Sequence, residues 1–227
     1  CIAQGGGGGP STGTPFFVAY PGIIISLLYI KTGTGGQDIH KSAIFGVHTR
    51  QQTKPTYMKV GLFIPCYINA VYPGVGRASY ELLGRLGCEV DYPLGQTCCG
   101  QPMANAGFEK DARALAEHMD ALFAQYDYVV GPSASCVVFV REGYPRLLDN
   151  YREHACVDSR IWAICEFIHD VVRPAKLDAR FPHRVSVHNS CHGVRKMGLS
   201  SPSELNVPYM SKLRDLLSLV GDIDIAE

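Results

Sequence analysis

From Met58 onward the chain alternates short apolar runs with stretches of helical spacing, and that alternation restricts the fold more than any other property of the sequence. Val60 to Ile64 reads as a strand. Tyr72 to Leu86 carries helical spacing through Tyr80, Leu82, Leu83 and Leu86, and Gly87 closes it, a residue suited to the left-handed turn past a helix end. Cys88 to Tyr92 is strand-like, and Phe108 to Tyr126 predicts a helix with Leu115, Met119, Leu122 and Phe123 on one face. Tyr128 to Val130 is a further strand, followed by a helix from about Cys136 to Leu148. Ile161 to Val172 predicts another helix stopped near Pro174, Arg184 to His188 another strand, and Asn206 to Val220 a closing helix. Alternating strand and helix of this kind predict an α/β fold of repeated β-α units, with a mainly parallel sheet covered on both faces. With 46% hydrophobic residues in 227, the chain can bury a substantial core.

Placed on this pattern, Cys66, the Cys98-Cys99 pair, Cys136 and Cys191 each fall just after a strand and at or before a helix start. In open α/β sheets ligands collect at that carboxyl edge. Helix N-termini there carry partial positive charge, which favours thiolates and anionic groups. The pair stands in Gln96-Thr97-Cys98-Cys99-Gly100-Gln101-Pro102. Two neighbouring thiolates can each bind one atom of a cluster, and Gly100 lets the backbone bend close to it. Two buried thiols or a vicinal disulfide is the weaker reading, because Cys66 and Cys136 stand at similar strand ends. Thirty-one residues separate Cys66 from Cys98, and 36 separate Cys99 from Cys136. The small residues Gly131 to Ser135 ahead of Cys136 leave backbone amides free to donate to its sulfur, a contact that tunes cluster potential.

The other cysteines read differently. Cys165, among Ile161, Ile164 and Ile168, and Cys88 at a strand start behave as small hydrophobes. Nothing near Cys156 supports chemistry. His188 and His192 flank Cys191 at a spacing that matches no common zinc finger, so the thiol is taken as a ligand and the histidines are not.

Lysines plus arginines balance aspartates plus glutamates at 21 each, which leaves no net field to recruit nucleic acid or an anionic membrane. Nine cysteines are too sparse for a disulfide scaffold in a chain of this length, and a reducing cytoplasm is expected. The apolar run Phe16 to Ile30 is broken by Pro21-Gly22 and falls short of the ~20 residues a spanning helix needs. Residues 1–57 sustain neither a helical nor a strand period, and are read as a disordered or non-native leader ahead of a start at Met58.

The order Cys66, Cys98-Cys99-Gly100, Cys136 resembles the cysteine-rich CCG domain of heterodisulfide reductase B-type subunits, of the anaerobic glycerol-3-phosphate dehydrogenase C-type subunits and of the lactate-utilisation A family. The opening Met58-Lys59-Val60-Gly61-Leu62-Phe63-Ile64-Pro65-Cys66, with Gly100-Gln101-Pro102 after the pair, looks most like the last of these. Residues 58–180 match a first CCG domain. Ser190-Cys191-His192-Gly193 looks like the start of a second over 181–227, whose own Cys-Cys-Gly is expected beyond Glu227. One departure lies inside the first motif: where the family closes with Cys-x-x-Cys, this chain has Cys136-Val137-Val138-Phe139.

The resemblance implies an iron–sulfur electron-transfer subunit that acts in oxidation of L-lactate to pyruvate. It would be a flavin-free oxidoreductase subunit working with other lactate-utilisation subunits, both iron–sulfur and LutC-like proteins. Cys66, Cys98, Cys99 and Cys136 are the implied ligands of a four-iron four-sulfur cluster, and a five-thiol non-cubane cluster would need Cys191 as well. Gly74-Val75-Gly76 lacks the third glycine of a dinucleotide fingerprint. The alternative is a zinc-binding structural or assembly module without redox activity. A thiol–disulfide enzyme is disfavoured, since its redox pair usually has two intervening residues.

Overall fold

The computed structural model describes residues 17–19, 58–148 and 156–226. Its strands are β1 (Phe17–Ala19), β2 (Lys59–Leu62), β3 (Glu89–Asp91), β4 (Tyr128–Gly131), β5 (Ile161–Ala163), β6 (Arg184–Val187) and β7 (Asp224–Ile225). Its helices are α1 (Cys66–Val71), α2 (Pro73–Arg85), α3 (Gln101–Asn105), α4 (Glu109–Phe123), α5 (Ala134–Leu147), α6 (Ile164–Phe167), α7 (Cys191–Arg195) and α8 (Lys212–Ser218). Apart from β1, residues 1–57 lie outside the described residues, and so does the expectation of a leader there.

Four strands form one sheet in the order β3-β2-β4-β5, all parallel, with Val60 opposite Val90 and Tyr128, and Val129 opposite Ile161. A second parallel sheet has the order β1-β6-β7. The α/β class with parallel sheets and intervening helices is therefore the observed one.

Alternation along the central strands divides the core between two faces, as period-2 geometry requires. Val60, Leu62 and Ile64 point to one face, where Val75, Ala78 and Leu83 of α2, Ile164 and Phe167 of α6, and Leu213, Leu216 and Leu217 of α8 cover them. Phe63, Val129, Ile161 and Ala163 point to the other, covered by Ala112, Ala116, Met119 and Phe123 of α4 and by Val137, Val140 and Tyr144 of α5. A sheet buried on both faces is what parallel pairing with crossover helices demands.

The expected helix over Ile161 to Val172 is corrected. Its first three residues are β5, hydrogen-bonded beside β4, and helix begins only at Ile164, passing into a π-helical turn over Ile168–Val172. A three-residue apolar run has no period to distinguish strand from buried helix, and the open edge of β4 decides it. Arg141 of α5 locks the junction. Its Nε and Nη2 donate to the Ile161 carbonyl at 2.9 and 2.7 Å, and Nη1 and Nη2 reach the Glu166 carboxylate at 3.1 and 2.8 Å.

The closing helix is also shorter than expected. It spans Lys212–Ser218, and the Ser211 hydroxyl caps it by accepting from the Arg214 amide at 3.3 Å. Pro208 disfavours helix in the residue before it, so 206–210 stay outside.

Candidate functional site

The strand order places a topological switch between β2 and β4. The chain leaves β2 for β3 on one side, then crosses back to β4 on the other, which opens a crevice at the carboxyl ends of β2 and β4. Cys66 is the first residue of α1, after β2, and Cys136 lies in the first turn of α5, after β4. The Cys98-Cys99 loop follows β3 and leads through Gly100 into α3. Three separate β-to-α joins thus bring four thiols to one edge.

The four thiols engage one another as two pairs, Cys66 with Cys98 and Cys99 with Cys136, and Cys66 also feels the charge of Cys136. Cys66 is exposed, Cys98 half-buried, Cys99 and Cys136 buried. Donation from the Cys99 thiol, helped by Ser133 and Ser135 hydroxyls and opposed by burial, draws Cys136 down to about 7. The same hydrogen bond pushes Cys99 up, and burial adds to it. Burial, then the contact with Cys98, raises Cys66. An all-thiol donor set in two pairs suits an iron–sulfur group, whose ligands are cysteine thiolates bound to different metal atoms. Among the described residues, no three His, Cys, Asp or Glu side chains come together closely enough to hold a single metal ion.

Several side chains hold the pair in place. Gly100 has φ +91°, in the left-handed region, and a Cβ there would stand 3.2 Å from the Ala112 carbonyl oxygen. The Tyr144 hydroxyl, fully buried on α5, donates to the Cys99 carbonyl at 3.0 Å and lies 3.0 Å from the Met119 sulfur. Gln96 ties the loop to the strand that delivers Cys66. Its Oε1 accepts from the Ile64 amide at 2.7 Å, and its Nε2 donates to the Leu62 and Pro93 carbonyls, each at 3.1 Å. The side-chain amide thereby continues the ladder beside β2 past the end of β3.

Tyr67, next to Cys66, was absent from the sequence expectations. Its ring is exposed; burial pushes its phenol up, the Ser133 hydroxyl opposes this, and Cys136, Cys66 and Cys99 lie within charge range. No spacing or composition signal marks it. Phe139 fills the position of the family's further thiol. It sits one helical turn after Cys136, half-buried, with its ring edge-on to Tyr144 at 5.9 Å.

Cys191 begins α7 at the carboxyl end of β6 and is exposed. Cys88, Cys156 and Cys165 are buried, Cys88 and Cys165 within the apolar core, and burial pushes Cys165 up to about 12. That agrees with packing roles for Cys88 and Cys165.

The parallel sheet and the thiols at its switch point define a cysteine-rich α/β protein, and a family model described as CCG, cysteine-rich domain, matches residues 60–141. Lactate utilization protein A of Geobacillus sp. (strain WCH70) is 41% identical over 146 residues, 63% of this chain and 61% of that protein. Lactate utilization protein A of Halalkalibacterium halodurans is 40% identical over 174 residues, 75% of this chain and 67% of that protein. The chain belongs to the lactate utilisation protein A family of CCG proteins. It spans about three fifths of the length of the first relatives, 61% and 60% for the two Geobacillus proteins. No solved structure matches the chain. Among the described residues, no helix is long and apolar enough to cross a membrane.

Proposed function

We propose that the chain is an iron–sulfur electron-transfer subunit of a system that oxidises L-lactate, with Cys66, Cys98, Cys99 and Cys136 as cluster ligands and Cys191 as a candidate fifth. The observation that supports this reading is the convergence of four thiols from three β-to-α joins on the switch-point edge, arranged as two pairs. A bound cluster of the four-iron four-sulfur class would supply a one-electron store. The chain's own residues do the rest: Gln96 and Tyr144 fix the backbone that carries Cys98 and Cys99, and Ser133 and Ser135 donate toward the Cys136 sulfur.

The relatives' name, lactate utilization protein A, supports the substrate system. With no dinucleotide fingerprint in the chain, electrons enter and leave through other lactate-utilisation subunits, iron–sulfur and LutC-like, in the cytoplasm. In this reading residues 58–180 are a first CCG domain and 181–227 the start of a second.

Anaerobic purification followed by iron and acid-labile sulfide analysis and electron paramagnetic resonance tests the reading. Iron and sulfide in cluster stoichiometry, with a signal on reduction that Cys98→Ser and Cys136→Ser diminish, are expected. Stoichiometric zinc with a silent spectrum would replace it with the structural-module reading, because zinc has no redox chemistry.

A further inference from the structure

A cavity of about 380 Å³ lies at the carboxyl ends of β2 and β3, on the face that α2 covers. Its floor is apolar, made by the buried Leu62 and Ile64 with Gly76 of α2 against them. The space has a cause in the sequence. Pro73, Gly76, Arg77, Tyr80 and Glu81 follow one another at i, i+3, i+4, i+7 and i+8, so they share one face of α2. Gly76 brings no side chain to that face, and even a Cβ there would only meet the Ile64 side chain at 3.4 Å. Gly61 pairs with Asp91, so Tyr92 follows beside Leu62 and adds a second aromatic wall to that of Tyr80.

Volume and lining decide what fits. Small-molecule sites enclose about 300–1,000 Å³, with mostly apolar walls and a few polar groups that fix orientation. Water over Leu62, Ile64 and two tyrosine rings finds few hydrogen-bond partners, and an apolar body displaces it with a gain in affinity. The charged groups stand at the mouth, where Arg77 is exposed. Arg77, Glu81 and Arg85 of α2 together carry one net positive charge, with Glu81 3.9 Å from Arg85. A guanidinium has five donors in a planar fork, so a carboxylate can join the contact that Arg77 already makes. The ligand that matches is a monoanion with an apolar body.

We propose that this cavity binds a small organic monocarboxylate, with its apolar body on Leu62, Ile64 and Gly76 and its carboxylate on Arg77. No lining residue is a thiol, so the site goes beyond the electron-transfer reading and the two can fail separately.

Isothermal titration calorimetry of the full chain, purified anaerobically, tests this with phenylacetate and its neutral analogue phenylacetamide. Phenylacetate is expected to bind saturably at one site per chain, and phenylacetamide about tenfold more weakly, the worth of a hydrogen bond to a charged group at a partly exposed site. Arg77→Gln should weaken phenylacetate about tenfold and erase the preference for the acid. Gly76→Leu fills the floor and should weaken both probes at least as much. Arg77→Gln alters an exposed side chain and keeps the test decisive if Gly76→Leu fails to fold.

Absence of saturable phenylacetate binding to the unaltered chain overturns the proposal, as do equal affinities for acid and amide, or an unchanged preference in Arg77→Gln. Undiminished binding of both probes by folded Gly76→Leu overturns the placement in this cavity. The expected pattern in protein that carries no iron or sulfide upholds the site while the electron-transfer reading falls.

Discussion

Gly100 is where the thiol loop turns, and its replacement by alanine separates two costs. With φ at +91° and ψ at −7°, an L-residue pays about 1–2 kcal/mol for the left-handed backbone. The added Cβ would lie 3.2 Å from the Ala112 carbonyl oxygen and 3.4 Å from the Ala112 Cα. Both are backbone atoms of α4 and cannot rotate aside, so loop or helix must shift, at about 1–3 kcal/mol for such overpacking. The expected loss for Gly100→Ala is therefore about 2–5 kcal/mol, a large part of the ~5–15 kcal/mol that holds a typical domain. Gly107→Ala isolates the first cost: φ there is +84° and nothing lies within 4 Å of where the methyl would stand, so the loss should be about 1–2 kcal/mol. Gly84→Ala, within α2 and facing open space, should gain about 0.5–1 kcal/mol. Urea midpoints at constant m-value, with the chain as isolated, rank the three. Equal losses at Gly100 and Gly107 would refute the contact with Ala112, and wild-type stability in Gly100→Ala would refute the conformational argument as well.

Tyr144→Phe removes the hydroxyl from the Cys99 carbonyl and should lower stability by about 1–2 kcal/mol in the same titration, with faster loss of bound iron. Gln96→Leu strips the Ile64 amide and the Leu62 and Pro93 carbonyls of their partner, and about 2–3 kcal/mol is expected. Glu166→Gln breaks the two-point contact with Arg141, whose side chain is 27% exposed, and a thermal melt should show about 2–3 kcal/mol lost, below the full cost for a wholly buried pair. Burial opposes the charge on Asp170, but its bonds with Lys212 and His169 outweigh it and hold the carboxyl below the usual range. Its contribution is therefore present above about pH 3.9, the ordinary value, and fades as pH falls through the lowered one. The urea-midpoint gap between wild type and Asp170→Asn should accordingly narrow as pH falls below about 3.9.

Local text carries much of the scaffold. The spacing of Leu82, Leu83 and Leu86 marks α2, and Gly87 takes the φ of +88° expected at its end. Pro73 sits in the first turn, where a missing amide hydrogen costs nothing. Ile161-Trp162-Ala163 reads wrongly as helix because three apolar residues have no measurable period, and their state depends on an open strand edge supplied by β4, more than 30 residues away. Phe139 is legible as a missing thiol but not as a ring packed on Tyr144.

The sequence by itself determined that strands alternate with helices and that Cys66, Cys98, Cys99, Cys136 and Cys191 stand at the joins, because periodicity and turn residues are local properties. Only the tertiary structure decided which joins meet. The order β3-β2-β4-β5 puts four of those thiols at one switch point and leaves Cys191 beside the second sheet. It also decided what holds them. Gln96 and Tyr144 act through hydrogen bonds between residues that are mostly far apart in the chain, and such bonds leave no periodic trace in the text.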